Sequence, residues 1–178
     1  MHTFAPDDTA AWTLPGIANL HSHAFQRAMA GLAERMGDRQ DSFWTWRETM
    51  YRMAARFDPD LLEAVAAQLY VEMLEAGYTA VCEFHYLHHA PDGMTYDDPA
   101  ELSQAIFAAA EETGIGITHL PVFYAHGGFG GAEPNFGQRR FVTDLDGYAR
   151  LIDAIRSASA GLPDAIVGVA PHSLRAVT

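Results

Sequence analysis

Short apolar runs that alternate with helical patterns constrain this chain more than any other feature of its sequence. Residues 17–20, 79–86, 115–124 and 165–170 are runs of strand length, nearly continuous in apolar character. Between them lie helical patterns with recognisable ends. Residues 24–35 and 42–57 favour helix, the second carrying Phe43, Trp44, Trp46, Met50, Tyr51 and Met53. A third helix has Asp58 as its N-cap and Pro59 in its first turn, sets Leu62, Val65, Ala66, Leu69 and Met73 on one face, and stops at Gly77. A fourth runs from Asp98-Pro99 to Thr113 and closes on Gly114. The last is expected to be capped by Thr143, with Leu145, Tyr148, Leu151, Ile152 and Ile155 apolar, before Gly161-Leu162-Pro163.

Strands that read as unbroken apolar runs are covered on both faces, and helical crossovers between them make the neighbours parallel. The fold class is therefore α/β. Polar side chains gather where each run ends: His21 and His23, His85 and Tyr86, Tyr124 and His126, His172 and Arg175. In an eight-stranded α/β barrel that rim carries the chemistry. A doubly wound nucleotide fold instead wants a glycine-rich turn after the first strand, and Ala24-Phe25-Gln26-Arg27 offers none. The glycines of 127–137 lack both phosphate-binding spacings and read as a flexible loop. A complete barrel needs about 250 residues, and this chain has 178. It is expected to supply about four βα units, the first half of a (β/α)8 barrel over residues 14–178, with residues 1–13 a tail or the remnant of an N-terminal β domain.

The chain carries 23 acidic residues against 11 basic ones, a formal charge of -12. Nucleic acid and anionic membrane surfaces would repel it. Its one cysteine, Cys82, can form neither a disulfide framework nor a thiolate metal site within the chain. No run approaches the roughly 18 apolar residues of a membrane span. A reducing cytoplasm is the expected setting. Every basic residue is arginine, so the choice of arginine over lysine at a given position says nothing of function.

Side chains at i and i+2 of a strand share a face, so His21 and His23 can present two imidazole nitrogens to one ion. An isolated His-x-His arises by chance, but a buried strand end ringed by other polar strand ends favours a metal. His88 and His89 follow the second strand among Pro, Asp and Gly and are expected in a solvated loop. His119, mid-strand, reads as a satisfied core histidine. Glu83 and His85 alternate and are expected to face the barrel interior, where the carboxylate either orients a ligand histidine or joins a structural ion pair. Arg47 lies on a helix dense in aromatics, and an ordinary stem-packed surface arginine is the alternative reading. Arg175 leaves the fourth strand with His172, at the rim, where a guanidinium suits a carboxylate ligand.

The runs Leu14-Pro15-Gly16, Asn19-Leu20-His21-Ser22-His23-Ala24-Phe25-Gln26-Arg27, Phe43-Trp44-Thr45-Trp46-Arg47, Glu83-Phe84-His85-Tyr86 and Ala170-Pro171-His172-Ser173-Leu174-Arg175 together resemble the amidohydrolase superfamily and, within it, the formiminoglutamate deiminases. The resemblance extends from Leu14 to Thr178, and it implies a (β/α)8 barrel with one divalent metal, Zn2+, held in part by His21 and His23. It implies that Gln26, Arg47, Tyr86, His172 and Arg175 bind substrate. The implied reaction hydrolyses N-formimino-L-glutamate to N-formyl-L-glutamate and ammonia in histidine breakdown. The family's remaining metal ligands and its acid and base residues fall after Thr178, so no catalytic acid or base is assigned and the chain is expected to be a fragment with part of a site. Another amidohydrolase deaminase acting on an amino-heterocycle or nucleobase, or a non-catalytic fragment, is the alternative. A homodimer of the full-length protein is left open.

Overall fold

The computed structural model describes residues 14–32 and 43–178, with side chains in the second stretch from Trp46 onward. The proposed tail at 1–13 and the end of the 24–35 helix lie outside the described residues. The elements in order are β1 (Ile17–Ser22), a 3-10 helix (Ala24–Met29), α1 (Phe43–Ala54), α2 (Pro59–Glu75), β2 (Tyr78–His85) and α3 (Glu101–Thr113). They continue with β3 (Gly116–Phe123), a short 3-10 turn (Phe136–Gln138), α4 (Leu145–Ser159), β4 (Ala165–Val167) and β5 (Ala170–Pro171).

All strand pairs are parallel, in the order β1-β2-β3-β4, with β5 returning to the far end of β3. The expected fourth strand is thus split at Gly168-Val169. This is a twisted parallel half-sheet with its helices on one side, consistent with part of a barrel. The alternating burial of β2 shows which side: Val81, Glu83 and His85 are buried, while Ala80, Cys82 and Phe84 are half-exposed. Glu83 receives the Tyr70 hydroxyl of α2, and the ring of His85 lies 5.2 Å from His119, which bonds Ser103 of α3. The buried face is therefore the helix-facing one. The expectation that Glu83 and His85 face the barrel interior is overturned: period-two alternation fixes that they share a face, and the helices claim it.

Local chemistry explains the element ends. Asp58 caps α2 by accepting the Leu61 N–H at 2.8 Å, and Gly77 turns the chain out at a φ of 91° that suits glycine. The cap of α4 is Asp144, which accepts from Gly147 N at 2.7 Å, and not the expected Thr143. The helix expected from Asp98 begins at Glu101, because Asp98 folds its carboxylate onto Ala100 N and Gln104. The segment after His23 winds as a 3-10 helix rather than an α-helix. Arg27 ties that helix to α2 by a forked pair with Glu72, at 2.7 and 2.8 Å, while Phe25 packs its edge on Phe57 and Tyr86.

Two loops are more ordered than their composition suggests. The glycine-rich 127–137 segment folds back on itself with Gly127 N donating to Ala132 O at 2.7 Å. A side chain at Gly127 would meet the Pro134 backbone at 2.7 Å. The buried Gln138 that follows it donates to the Tyr124 hydroxyl and the Gly127 carbonyl. His88 and His89, expected in solvent, are buried and half-buried, bonded to the carbonyls of Val122 and Val142. Arg140, itself buried, covers them: it donates to His89 O and to the Ala54 carbonyl that ends α1, and its own carbonyl accepts from His88 N and His89 N.

Candidate active site

The site is built at the C-terminal ends of the strands. β1 runs in register with β2 from Ala18 to Asn19, then slips, so that Ser22 rather than His21 stands opposite Glu83. Such a bulge re-aims side chains at a strand end. Asn19 and Ser22 turn toward the helix layer, Asn19 meeting Met73, and His21 and His23 turn to the opposite, open side. Their ring centroids lie 4.8 Å apart, edge to face.

The partners of His23 determine what it can bind. Its Nδ1 is 2.9 Å from the Phe84 carbonyl. A carbonyl only accepts, so Nδ1 carries the proton and Nε2 keeps its lone pair for an electrophile. Burial holds the His23 pKa below its ordinary value, with His21 adding to the effect. A neutral imidazole anchored through one nitrogen to a carbonyl is what a histidine metal ligand requires. His21 is exposed beside it. The pair fits a soft or borderline divalent ion, although among the described residues no group of three or more His, Cys, Asp or Glu is placed to hold one.

Around the pair lies an open cavity of about 540 Å³. It is lined by His21, His23, Gln26, Arg47, Tyr86, His172 and Arg175, the seven residues singled out in the sequence, and by Trp46, Met50, Tyr51, Phe84, Tyr124 and Phe141. They arrive from six segments: the β1 end, the 3-10 helix after it, α1, the β2 end, the β3 end with the following loop, and the β5 end. His85 and His126, also counted at the rim, do not reach the cavity. Gln26 donates to the Tyr86 hydroxyl at 2.5 Å. The His172 ring packs on Tyr124, Tyr86 and Phe84 at centroid distances of 4.6, 5.5 and 5.9 Å. Burial first, then the charge of Arg175, then His23, lower the His172 pKa to about 4, so it is neutral near pH 7.

Arg47 stands over the Tyr51 ring at 5.2 Å. Burial and the neighbouring Tyr124 push the Tyr51 phenol up to about 12, against the pull of Arg47 and Arg175. The cavity therefore presents two guanidinium groups and three imidazoles among aromatic walls. Tyr51 belongs to it because residues 47 and 51 of α1 are one helical turn apart and share a face. Phe141 carried no sequence signal, since it enters from the far side of the glycine-rich loop.

Fold and site together define an amidohydrolase. The model of the amidohydrolase family matches residues 12–178, and the chain belongs to that family. It is 58% identical over 165 residues to the formimidoylglutamate deiminase of Pseudomonas aeruginosa, a match covering 93% of this chain and 36% of that protein. It is 30% identical over 105 residues to an 8-oxoguanine deaminase of the same species, covering 57% and 20%. Among solved structures, an amidohydrolase from Brucella melitensis superposes with a TM-score of 0.88 at 60% identity over 92% of this chain and 36% of that one. An atrazine chlorohydrolase from Arthrobacter aurescens, solved with zinc, superposes with a TM-score of 0.67 at 21% identity over 93% and 36%, a likeness of fold alone. The chain thus spans about a third of the length of the relatives it matches. No described helix is long and apolar enough to cross a membrane.

Proposed function

We propose that these residues form part of the active site of a hydrolytic deiminase whose substrate is N-formimino-L-glutamate. One observation carries the reading: Arg47 and Arg175 line the same cavity as His21 and His23, so a substrate with carboxylates at one end and an amidine at the other has partners for both. The similarity to the Pseudomonas aeruginosa deiminase supports it. A planar guanidinium holds a carboxylate by two parallel hydrogen bonds, and an α-carboxylate with a γ-carboxylate gives each arginine one partner. Gln26, held by Tyr86, and the neutral His172 supply hydrogen-bonding groups between the two ends.

His21 and His23 would hold a divalent ion, Zn2+ in this proposal, which supplies Lewis-acid activation of water and of the amidine. The chain's own contribution is orientation. Phe84 O fixes the His23 tautomer, and the aromatic walls limit the water around the reacting carbon. Hydrolysis breaks the bond from the formimino carbon to its terminal nitrogen, which leaves as ammonia, and the product is N-formyl-L-glutamate. A cytoplasmic place in histidine breakdown follows from that substrate, and residues 14–178 make up the proposed half-barrel domain.

A neutral amino-heterocycle is the second reading, favoured by the aromatic lining and the likeness to an 8-oxoguanine deaminase. Ammonia release by the zinc-loaded full-length protein decides between them. Turnover of N-formimino-L-glutamate with none of 8-oxoguanine supports the proposal, and the reverse contradicts it.

A further inference from the structure

Glu83 is a buried carboxylate in the core that the proposed chemistry does not use. It is fully buried on the helix face of β2, away from the cavity. It makes no ion pair with a described residue; its Oε1 accepts the N–H of Ala24 at 2.6 Å, and its Oε2 stands 3.4 Å from the Tyr70 hydroxyl of α2. Ala24 is the first residue of the 3-10 helix that follows His23, and His23 offers that helix no side-chain cap. The first N–H groups of a helix have no partner within it, and here a carboxylate from the neighbouring strand takes one of them. The adjacent residue of that strand, Phe84, receives the His23 ring through its carbonyl. Two consecutive residues of β2 thus hold the peptide on one side of His23 and the imidazole on the other.

We infer that Glu83 is a positioning residue for His23: by fixing the Ala24 peptide it sets where the chain leaves the β1 bulge, and so keeps the ring on Phe84 O with Nε2 turned to the cavity. This rests on the metal reading of His23 only for its consequence and not for its geometry. The obligation is to an acceptor rather than to a charge. Glu83→Gln keeps an acceptor for Ala24 N–H and lets the amide face the Tyr70 oxygen, whereas Glu83→Met keeps the volume and removes the acceptor.

The test is nitrogen-detected NMR of the histidine rings and amide exchange in the metal-free protein, with Zn2+ affinity by chelator competition alongside. Wild type should show a protected Ala24 amide and a single His23 tautomer protonated at Nδ1. Glu83→Gln should keep both and bind Zn2+ within about threefold. Glu83→Met should lose the protection, mix the tautomers and weaken Zn2+ by about 10- to 100-fold, the usual effect of losing a group that orients a ligand. An unprotected Ala24 amide in wild type, readable even if Glu83→Met fails to fold, overturns the inference. So does a Glu83→Met protein with the wild-type His23 tautomer. Zinc affinity unchanged in both variants while the tautomer shifts overturns the consequence for the metal. A wild type that takes up no Zn2+ sinks the metal reading and leaves the tautomer result standing.

Discussion

His172 shows how a single side chain is conditioned by its surroundings. Packed among three rings and facing Arg175, it is held neutral, with its Nδ1 at 3.0 Å from the Ser173 hydroxyl. An NMR titration of the free protein should place its midpoint near 4, and Arg175→Ala should move that midpoint upward by removing a like charge. A midpoint at the ordinary 6.5 in both proteins would show that the ring is neither buried nor coupled. His172, Arg175 and Tyr86 were legible in the sequence as strand-end residues, whereas Gln26 and Arg47 were marked only by the family resemblance of the runs that contain them. Tyr51, Phe141 and the covering role of Arg140 were not, since each depends on a contact between segments remote in sequence. His88 and His89 were misread for the same reason: Pro, Asp and Gly describe the segment around them, while the arginine that covers them lies about fifty residues later.

At the scale of elements, the layer between β2, β3 and α3 holds an uncommon concentration of buried imidazole. His85, His88 and His119 are all buried, and a nitrogen on each lacks a hydrogen-bond partner: His85 Nε2, His88 Nδ1 and His119 Nδ1. Burial lowers all three pKa values, to about 4 for His88 and about 3 for His119, and well below the ordinary value for His85. Unfolded histidines titrate near 6.5, so on acidification the unfolded chain takes up these protons first. Stability is complete above about pH 6.5 and falls as the pH drops toward 4, by about 1.4 kcal/mol per histidine for each pH unit. Urea midpoints measured from pH 7 to pH 4.5 should show this loss, and His119→Asn should flatten it; a flat wild-type profile would contradict it.

The element ends make a second test at this scale. Asp58→Ala should cost about 1 kcal/mol through the lost cap of α2, whereas Thr143→Ala should cost little because Asp144 is the cap of α4. Equal losses in thermal unfolding would refute that assignment. Sequence signals placed the four α-helices and the strands of the sheet, except for the split of the fourth strand and the two 3-10 segments, since caps and apolar runs are local. They did not give the face that Glu83 and His85 take, because parity fixes which residues share a face and only the helices above the sheet decide which one is buried.

For the whole molecule, the open edges carry the argument. Leu14 just before β1, Ile17 and Leu20 along it, and Ile166 and Val169 at the other edge, are each more than half exposed. Edge strands with apolar side chains want a neighbour, and the Brucella melitensis structure that superposes here is about two and a half times as long. Two imidazoles alone make a weak metal site. Residues 1–178 by themselves should therefore bind Zn2+ weakly and release no ammonia from N-formimino-L-glutamate; tight zinc uptake with turnover would overturn the view that this half-sheet holds only part of the site.

In the proposed function, one cavity joins a histidine-held divalent metal to a pair of arginines that select an acidic substrate. The ratio of kcat/KM for N-formimino-L-glutamate to that for 8-oxoguanine tests this, measured in the zinc-loaded full-length protein with and without Arg47→Ala and Arg175→Ala. Hydrogen bonds to charged groups are worth about 1.5 to 3 kcal/mol, so each change should lower kcat/KM for the dicarboxylate by about 10- to 100-fold and leave the heterocycle nearly untouched. A ratio that starts below one, or that neither substitution moves, would contradict the account.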